Sequence, residues 1–203
     1  MAKKKTKHER IDKDAYLTPE WCIDHLMPLI DFKSNDVLSE PAKGDGRIID
    51  RMPAGHVVKW CEIREGRDYL NIKEEMRADV IITNPPFSHA LEFVSTALDR
   101  DLSVGGTLIM LLRAGFMGST SRADFWREYP PTHQITLTPR PSFVHGGSDN
   151  SEYAWYCWDY GERIRTPHVW TIKRDEPLVD IEPALLKSRE KQRRLFFNGD
   201  VRA

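Results

Sequence analysis

Four short apolar runs, "DVLSE", "HVVKWCEI", "ADVIITN" and "GGTLIMLLR", punctuate the first half of the chain, and each gives way to a polar or turn-forming stretch. Runs this short read as strands, with "DVLSE", "ADVIITN" and "GGTLIMLLR" as buried ones. Such strands need helices over both sides of their sheet, and the segments between them supply candidates. "EWCIDHLMPLI" is opened by Thr18 at the expected N-cap and Pro19 at the first helical position. "RIIDRM" reads as a helix after the first strand. "SHALEFVSTALDR" carries apolar residues at helical spacing, with Ser88 as its expected cap, and "RADFWREY" reads as a short helix. The later runs "HQITLTP" and "EYAWYCWDY" are β-rich and are joined by a loop holding Gly146, Gly147 and Asp149. No helix long enough for a crossover separates them, so they are expected to pair antiparallel. The fold class is therefore α/β, a mostly parallel sheet with an antiparallel strand pair at one edge. From about Gly161 the pattern degrades, and "LLKSREKQRRLFF" reads as a basic amphipathic helix covering a sheet face.

At 203 residues with a formal net charge of -1, the chain suits one domain with a real core. We read residues 1–15 as a basic flexible tail and 16–203 as a single domain with a C-terminal extension from about 161. Cys22, Cys61 and Cys157 are scattered and odd in number, which argues for a reducing compartment and against a disulfide framework. No apolar run is long enough to span a bilayer, and no apolar segment follows the basic "MAKKKTKHER", so neither a membrane partner nor a secretory signal is expected. Lys3, Lys4, Lys5, Lys7 and Arg10, with the basic cluster at 189–194, suit phosphate contacts, although such tails also merely solubilise. His133, His145, Cys157 and His168 lack metal-ligand spacing, so no metal is expected.

In open parallel sheets, ligands bind outside the carboxyl ends of the strands. Four groups fall there: Glu40 with Gly44 and Gly46, then Glu62, then Asp68, then Asn84 to Phe87. Gly44-Asp45-Gly46 is half of a dinucleotide fingerprint, with Ile49 where the third glycine would fall, and by itself it also fits an ordinary tight turn. Glu62 can accept from ribose hydroxyls or stand as a solvated acid. "NPPF" is the sharp signal. Proline fixes φ and removes N–H donors, so Asn84, Pro85, Pro86 and Phe87 form a stiff segment. The Asn84 side-chain oxygen and the Pro85 carbonyl can accept two hydrogen bonds from one exocyclic amine. "RAGFMGSTSR", with Arg113 and Arg122, follows a strand at the same edge and reads as a loop over a substrate or as plain linker.

Taken in order, these motifs resemble the class I methyltransferases that use S-adenosylmethionine, most of all bacterial and phage DNA adenine-N6 methyltransferases. "YLTPE" resembles their N-terminal cofactor motif, pointing to Tyr16 and Thr18. "EPAKGDG" resembles their glycine motif, pointing to Glu40, Pro41, Gly44 and Gly46. Glu62 stands where the ribose acid stands, and "RDYL" resembles the acidic motif beside the cofactor adenine, pointing to Asp68. "NPPF" matches the catalytic motif, with Asn84 also at the cofactor. "RPSF", with Arg140 and Phe143, resembles a later motif whose aromatic packs on the extruded base. The resemblance covers residues 16–160 in the family's gamma order. It implies a Rossmann-like methyltransferase fold, S-adenosylmethionine as cofactor, and DNA as partner, with Phe87, Phe143, Arg113, Arg122 and Arg140 facing the substrate. It also implies a cytoplasmic enzyme of a bacterial cell or a phage-infected host. Lys43 departs from the motif, where a small residue is usual. The stretch from Glu62 to Asp68 is too short for the usual helix and strand, which predicts that one edge strand is missing. RNA adenine, cytosine N4 or a protein glutamine remain open as substrates, as does a non-catalytic nucleic-acid binder of the same fold.

Overall fold

The computed structural model describes residues 17–143, 151–177 and 187. The four apolar runs form β1 (Val37–Glu40), β2 (Val57–Trp60), β3 (Ala78–Thr83) and β4 (Leu102–Arg113). With β5 (His133–Thr138), β6 (Tyr153–Asp159) and β7 (Val169–Lys173) they make a seven-stranded sheet in the order β2-β1-β3-β4-β6-β5-β7. β1 pairs in parallel with β2 on one side and β3 on the other, and β3 pairs in parallel with β4. β6 runs antiparallel between β4 and β5, as expected for strands without a crossover helix. Because the chain leaves β1 for β2 and then returns to β3 on the other side, the carboxyl ends of β1 and β3 flank a topological switch point. That is where open α/β sheets bind ligands.

Alternating side chains divide the core between the two faces. Leu38, Ile82, Ile109, Trp155 and Cys157 pack with Cys22, Ile23 and Leu26 of the segment at α1 (Glu20–Asp24). Ile81, Leu108, Met110, Tyr156 and Trp158 pack on the other side with Phe93 and Val94 of α2 (Ala90–Thr96) and Trp126 of α3 (Ala123–Glu128). All of β6 is buried, as a strand covered on both faces must be. Among the described residues no helix is long and apolar enough to cross a membrane.

Several local expectations shift. Pro19, not Thr18, is the cap residue of α1, since its carbonyl accepts from the Cys22 amide and its ψ of 135° is extended. Ser88 does not cap α2. It lies inside a 3-10 turn, Phe87–His89, and the α-helix begins at Ala90, one residue later than expected. "RIIDRM" yields only the 3-10 turn Ile49–Arg51, because Pro53 forces Met52 into an extended conformation and stops the helix. Residues 61–77 hold one 3-10 turn, Ile63–Glu65, and no named strand, so β2 forms the sheet edge as expected. β7 goes beyond the expectation, since it adds in parallel outside β5. The connection to it is clamped by Asp159, which accepts from the Arg163 and Ile164 amides at 3.0 and 2.8 Å and from the Thr107 hydroxyl at 2.6 Å. Arg163 also forms a buried ion pair with Asp36 at 3.0 Å. Tyr16, His145, the N-terminal lysines, the loop glycines 146 and 147 with Asp149, and the 189–194 cluster lie outside the described residues. So does the expected amphipathic helix, apart from Lys187.

Candidate active site

The glycine turn after β1 is held by β2. The Cys61 amide donates to the Glu40 carbonyl at 3.1 Å, and the Lys43 amide donates to the Cys61 carbonyl at 2.9 Å. Gly44 and Gly46 both have positive φ, 58° and 92°. That left-handed region is one an L side chain reaches only with strain, so the glycines there are a backbone requirement. The Gly44 amide donates to Glu62 Oε2 at 2.8 Å, and Glu62 Oε1 accepts from the Arg64 amide at 3.0 Å. Each carboxylate oxygen retains a second lone pair, so Glu62 is oriented by the backbone while still able to accept from a ligand. Lys43 lies 4.0 Å over the Trp60 ring and pairs with Glu65, which pins its long side chain at the mouth of the turn.

Behind the turn, Glu40 is fully buried, and neither oxygen of its carboxyl has a hydrogen-bond partner. Burial pushes its pKa well above the ordinary 4.5, and the nearby Glu62 pushes it further. The Thr83 hydroxyl and the Ala42 amide stand close enough to ease the charge, though outside hydrogen-bond geometry. Pro41 is buried at the start of the turn.

Across the switch point, Asn84 follows β3. Its Nδ2 donates to Thr18 Oγ1 at 3.0 Å, and this fixes the plane of the carboxamide. Arg47 holds the Thr18 carbonyl at 3.3 Å, so the Thr18 backbone is fixed as well. Leu17, Thr18, Lys43, Gly44, Ile48 and Asn84 are among the residues lining a narrow cleft of about 30 Å³. Asp68 is not among them. Its carboxylate accepts from the Leu70 amide at 3.1 Å and from Asn71 Nδ2 at 2.7 Å, a local turn closure.

On the far side of the "NPPF" segment is a second cavity of about 510 Å³, lined by Phe87, Arg113, Phe116, Arg122, Arg140 and Glu152 among others. The 3-10 turns Ala114–Gly118 and Thr120–Arg122 shape the loop after β4 and bring Arg113 and Arg122 to the same opening. Arg122 lies 4.2 Å over the Phe116 ring and donates to the Phe116 carbonyl at 2.8 Å. Arg140 donates to Glu152 at 3.2 Å, and Arg113 lies 5.5 Å over the Phe87 ring. Phe87, Phe143 and the buried Tyr153 form one aromatic cluster, with centroids 4.7 to 6.1 Å apart. The structure thus gathers Phe87, Phe143 and the three expected arginines at one place. Sequence reasoning missed Glu152, Phe116 and Tyr153 there. Only the register that sets Tyr153 opposite Arg113 would have found the last of these.

No protein-family model and no curated protein matches the sequence. Solved structures do. A Listeria monocytogenes protein described as a class I S-adenosylmethionine-dependent methyltransferase superposes with a TM-score of 0.57 at 14% identity, over 88% of this chain and 71% of that one. The methyltransferase subunit of a type I restriction-modification system from Streptococcus thermophilus gives 0.59 at 15% identity, over 88% of this chain and 53% of that one. A dimethyladenosine transferase from Plasmodium falciparum gives 0.51 at 11% identity, over 70% of this chain and 62% of that one. The chain therefore spans between about half and about seven-tenths of these proteins. At such identities the likeness establishes the fold, and that fold is the Rossmann-like one of methyltransferases.

Proposed function

We propose that this protein transfers a methyl group from S-adenosylmethionine to the N6 amine of adenine in DNA. The observation that carries this reading is the placement of Asn84 and Phe87 at two ends of one rigid segment, with a cleft at the first and an aromatic, arginine-lined cavity at the second.

The residues of the cleft, and Glu40 buried behind it, fit the cofactor. A buried, unpartnered carboxyl such as Glu40 is costly unless a cation or donor meets it. S-adenosylmethionine carries both an ammonium and a sulfonium. Gly44 and Gly46 keep side chains off the turn, and Glu62 is positioned to accept from ribose hydroxyls. Thr18, Leu17 and Lys43 line the same cleft, and Pro41 is buried at the start of the turn. When bound, the cofactor supplies an electrophilic methyl group.

What the chain itself contributes is orientation. The lone pair of adenine N6 is delocalised into the ring, which makes the amine a poor nucleophile. Asn84 Oδ1 and the Pro85 carbonyl accept its two N–H bonds and draw the nitrogen toward a pyramidal shape, with its lone pair aimed into the cleft. Pre-set dipoles of this kind do not reorganise during reaction, which is why they count. The base must leave its helix to reach Asn84, and Phe87 with Phe143 offers it aromatic surface. Such stacking is worth ~1–3 kcal/mol per base, comparable to the cost of unstacking. Arg122 and Arg140 flank the opening, where phosphates would follow the base.

Tritiated-methyl transfer to DNA, RNA and protein, run side by side, tests the substrate class. Nucleoside digestion of the labelled product then separates adenine N6 from cytosine N4. Asn84→Ala is expected to lower kcat by ~10²-fold or more, by analogy with the removal of one pre-set dipole, while leaving cofactor binding intact. A folded Asn84→Ala protein that binds cofactor and methylates at the wild-type rate would refute the mechanism.

A further inference from the structure

Of the three arginines at the large cavity, Arg113 stands apart. Arg140 is engaged by Glu152 and Arg122 by the Phe116 carbonyl. Arg113 is exposed at the end of β4, and among the described residues its guanidinium lies over the face of Phe87. The β4–β6 register sets Arg113 beside Tyr153, whose ring packs on both Phe87 and Phe143. The guanidinium is therefore rooted in the same cluster that carries the stacking face. Its centre lies 5.5 Å from the Phe87 centroid. A base held between two flat faces needs about 7 Å, twice the ~3.4 Å step at which bases stack along a strand. The present gap is short by roughly 1.5 Å, a displacement that a long, flexible arginine side chain makes by changing rotamer.

From this geometry we infer that Arg113 is the second wall of a base-stacking slot whose first wall is Phe87. The slot rests on the nucleic-acid methyltransferase reading and deepens it. With no base present, the guanidinium lies over Phe87 and covers the ring. An extruded purine enters between them, and the planar cation moves from one π-face to another without losing its partner. Guanidinium and aromatic faces both accept any base, so the slot captures and holds, while Asn84 and Pro85 choose the amine. Arg113 then contacts the base and not a phosphate, and that separates it from Arg122 and Arg140.

Lysine retains charge but not the flat face, and alanine retains neither. The test measures methyl transfer to mixed genomic DNA and filter binding to the same DNA over a range of salt, for wild type, Arg113→Lys and Arg113→Ala. Each variant is first checked for unaltered thermal unfolding. The slot predicts that Arg113→Ala raises KM for DNA ~3- to 30-fold, the range of a lost cation–π and stacking wall. It also predicts that Arg113→Lys rescues little, and that the slope of log K against log salt stays unchanged. Rescue by lysine, or a slope reduced by ~0.7–0.9, would make Arg113 a phosphate contact and overturn the slot. Wild-type kinetics in Arg113→Ala would also overturn it. Wild-type protein that transfers no methyl to DNA or RNA would instead overturn the functional reading, and the slot with it.

Discussion

Thr18 offers the sharpest test of how the candidate site is held. It is 6% exposed, its carbonyl is fixed by Arg47, and its hydroxyl receives the Asn84 amide at 3.0 Å. Thr18→Val keeps the β-branched shape and removes the acceptor, whereas Thr18→Ser keeps the acceptor. A neutral hydrogen bond contributes ~0.5–1.5 kcal/mol, and a buried donor left unmet costs ~1–3 kcal/mol. Thr18→Val should therefore destabilise the fold by about 1–3 kcal/mol in urea unfolding. It should also release the carboxamide plane. If half of that energy is what orients Asn84 in the reacting complex, kcat falls ~2- to 12-fold, since ~1.4 kcal/mol is tenfold. Serine should restore most of both. The decisive readout is a double-mutant cycle. In an Asn84→Ala background Thr18→Val has no partner left to lose, so its destabilisation should shrink to near zero. Equal destabilisation in both backgrounds would refute the coupling. Weaker cofactor binding with kcat intact would return Thr18 to the role of cofactor ligand that the family resemblance implies.

Two further outcomes follow from the cleft. Glu62→Ala should weaken S-adenosylmethionine binding by removing a charged acceptor worth ~1.5–3 kcal/mol, and it also frees the Gly44 amide; unchanged affinity by calorimetry would discard the ribose assignment. Burial raises the Glu40 pKa above its ordinary 4.5 in the folded state, so across the interval from 4.5 upward the native protein keeps a proton that the unfolded chain has released. The urea midpoint should accordingly fall as pH rises through that interval, and Glu40→Gln should flatten the dependence; a slope unchanged in the variant would place its origin elsewhere.

The sheet was legible because burial leaves unbroken apolar runs at Val80–Ile82 in β3 and Leu108–Leu112 in β4, and no partner choice is needed to see them. β7 was not, because an edge strand shows less. Val169 is 75% exposed, and only Trp170 and Ile172 turn toward the core. The failures at Thr18 and at the helix after the glycine turn have different causes. A long-range hydrogen bond claimed the hydroxyl that local chemistry would have used as a cap. Pro53 outweighed the helical spacing that precedes it. In the site, the glycine turn and Asn84 were legible because their chemistry is local. Arg113 over Phe87 and Arg140 on Glu152 depend on register and on a loop path, and neither is written at any fixed spacing. At Asp68 the local bonds are what the structure shows. A short acidic motif also serves as a turn closure, and its partners here are two and three residues away.

The two prolines then acquire a physical role. Asn84 belongs to the wall of the narrow cleft and Phe87 to the wall of the large cavity, so the segment between them is the partition. Pro85 is buried, and Pro86 is extended at φ -57° and ψ 121°. Three extended residues reach at most ~10 Å, and with two φ angles locked by rings the separation has little slack. On the proposed reading, a base stacked at Phe87 must present its amine at Asn84 with reacting atoms ~3–3.5 Å apart, and a 1 Å error costs ~10²-fold. A flexible linker would have to be ordered by the substrate each time the base arrives. A Pro-Pro ruler is ordered before the substrate comes, because its rings restrict the unfolded chain as much as the folded one. The stiffness that makes "NPPF" conspicuous in the sequence is thus the tolerance that the chemistry requires.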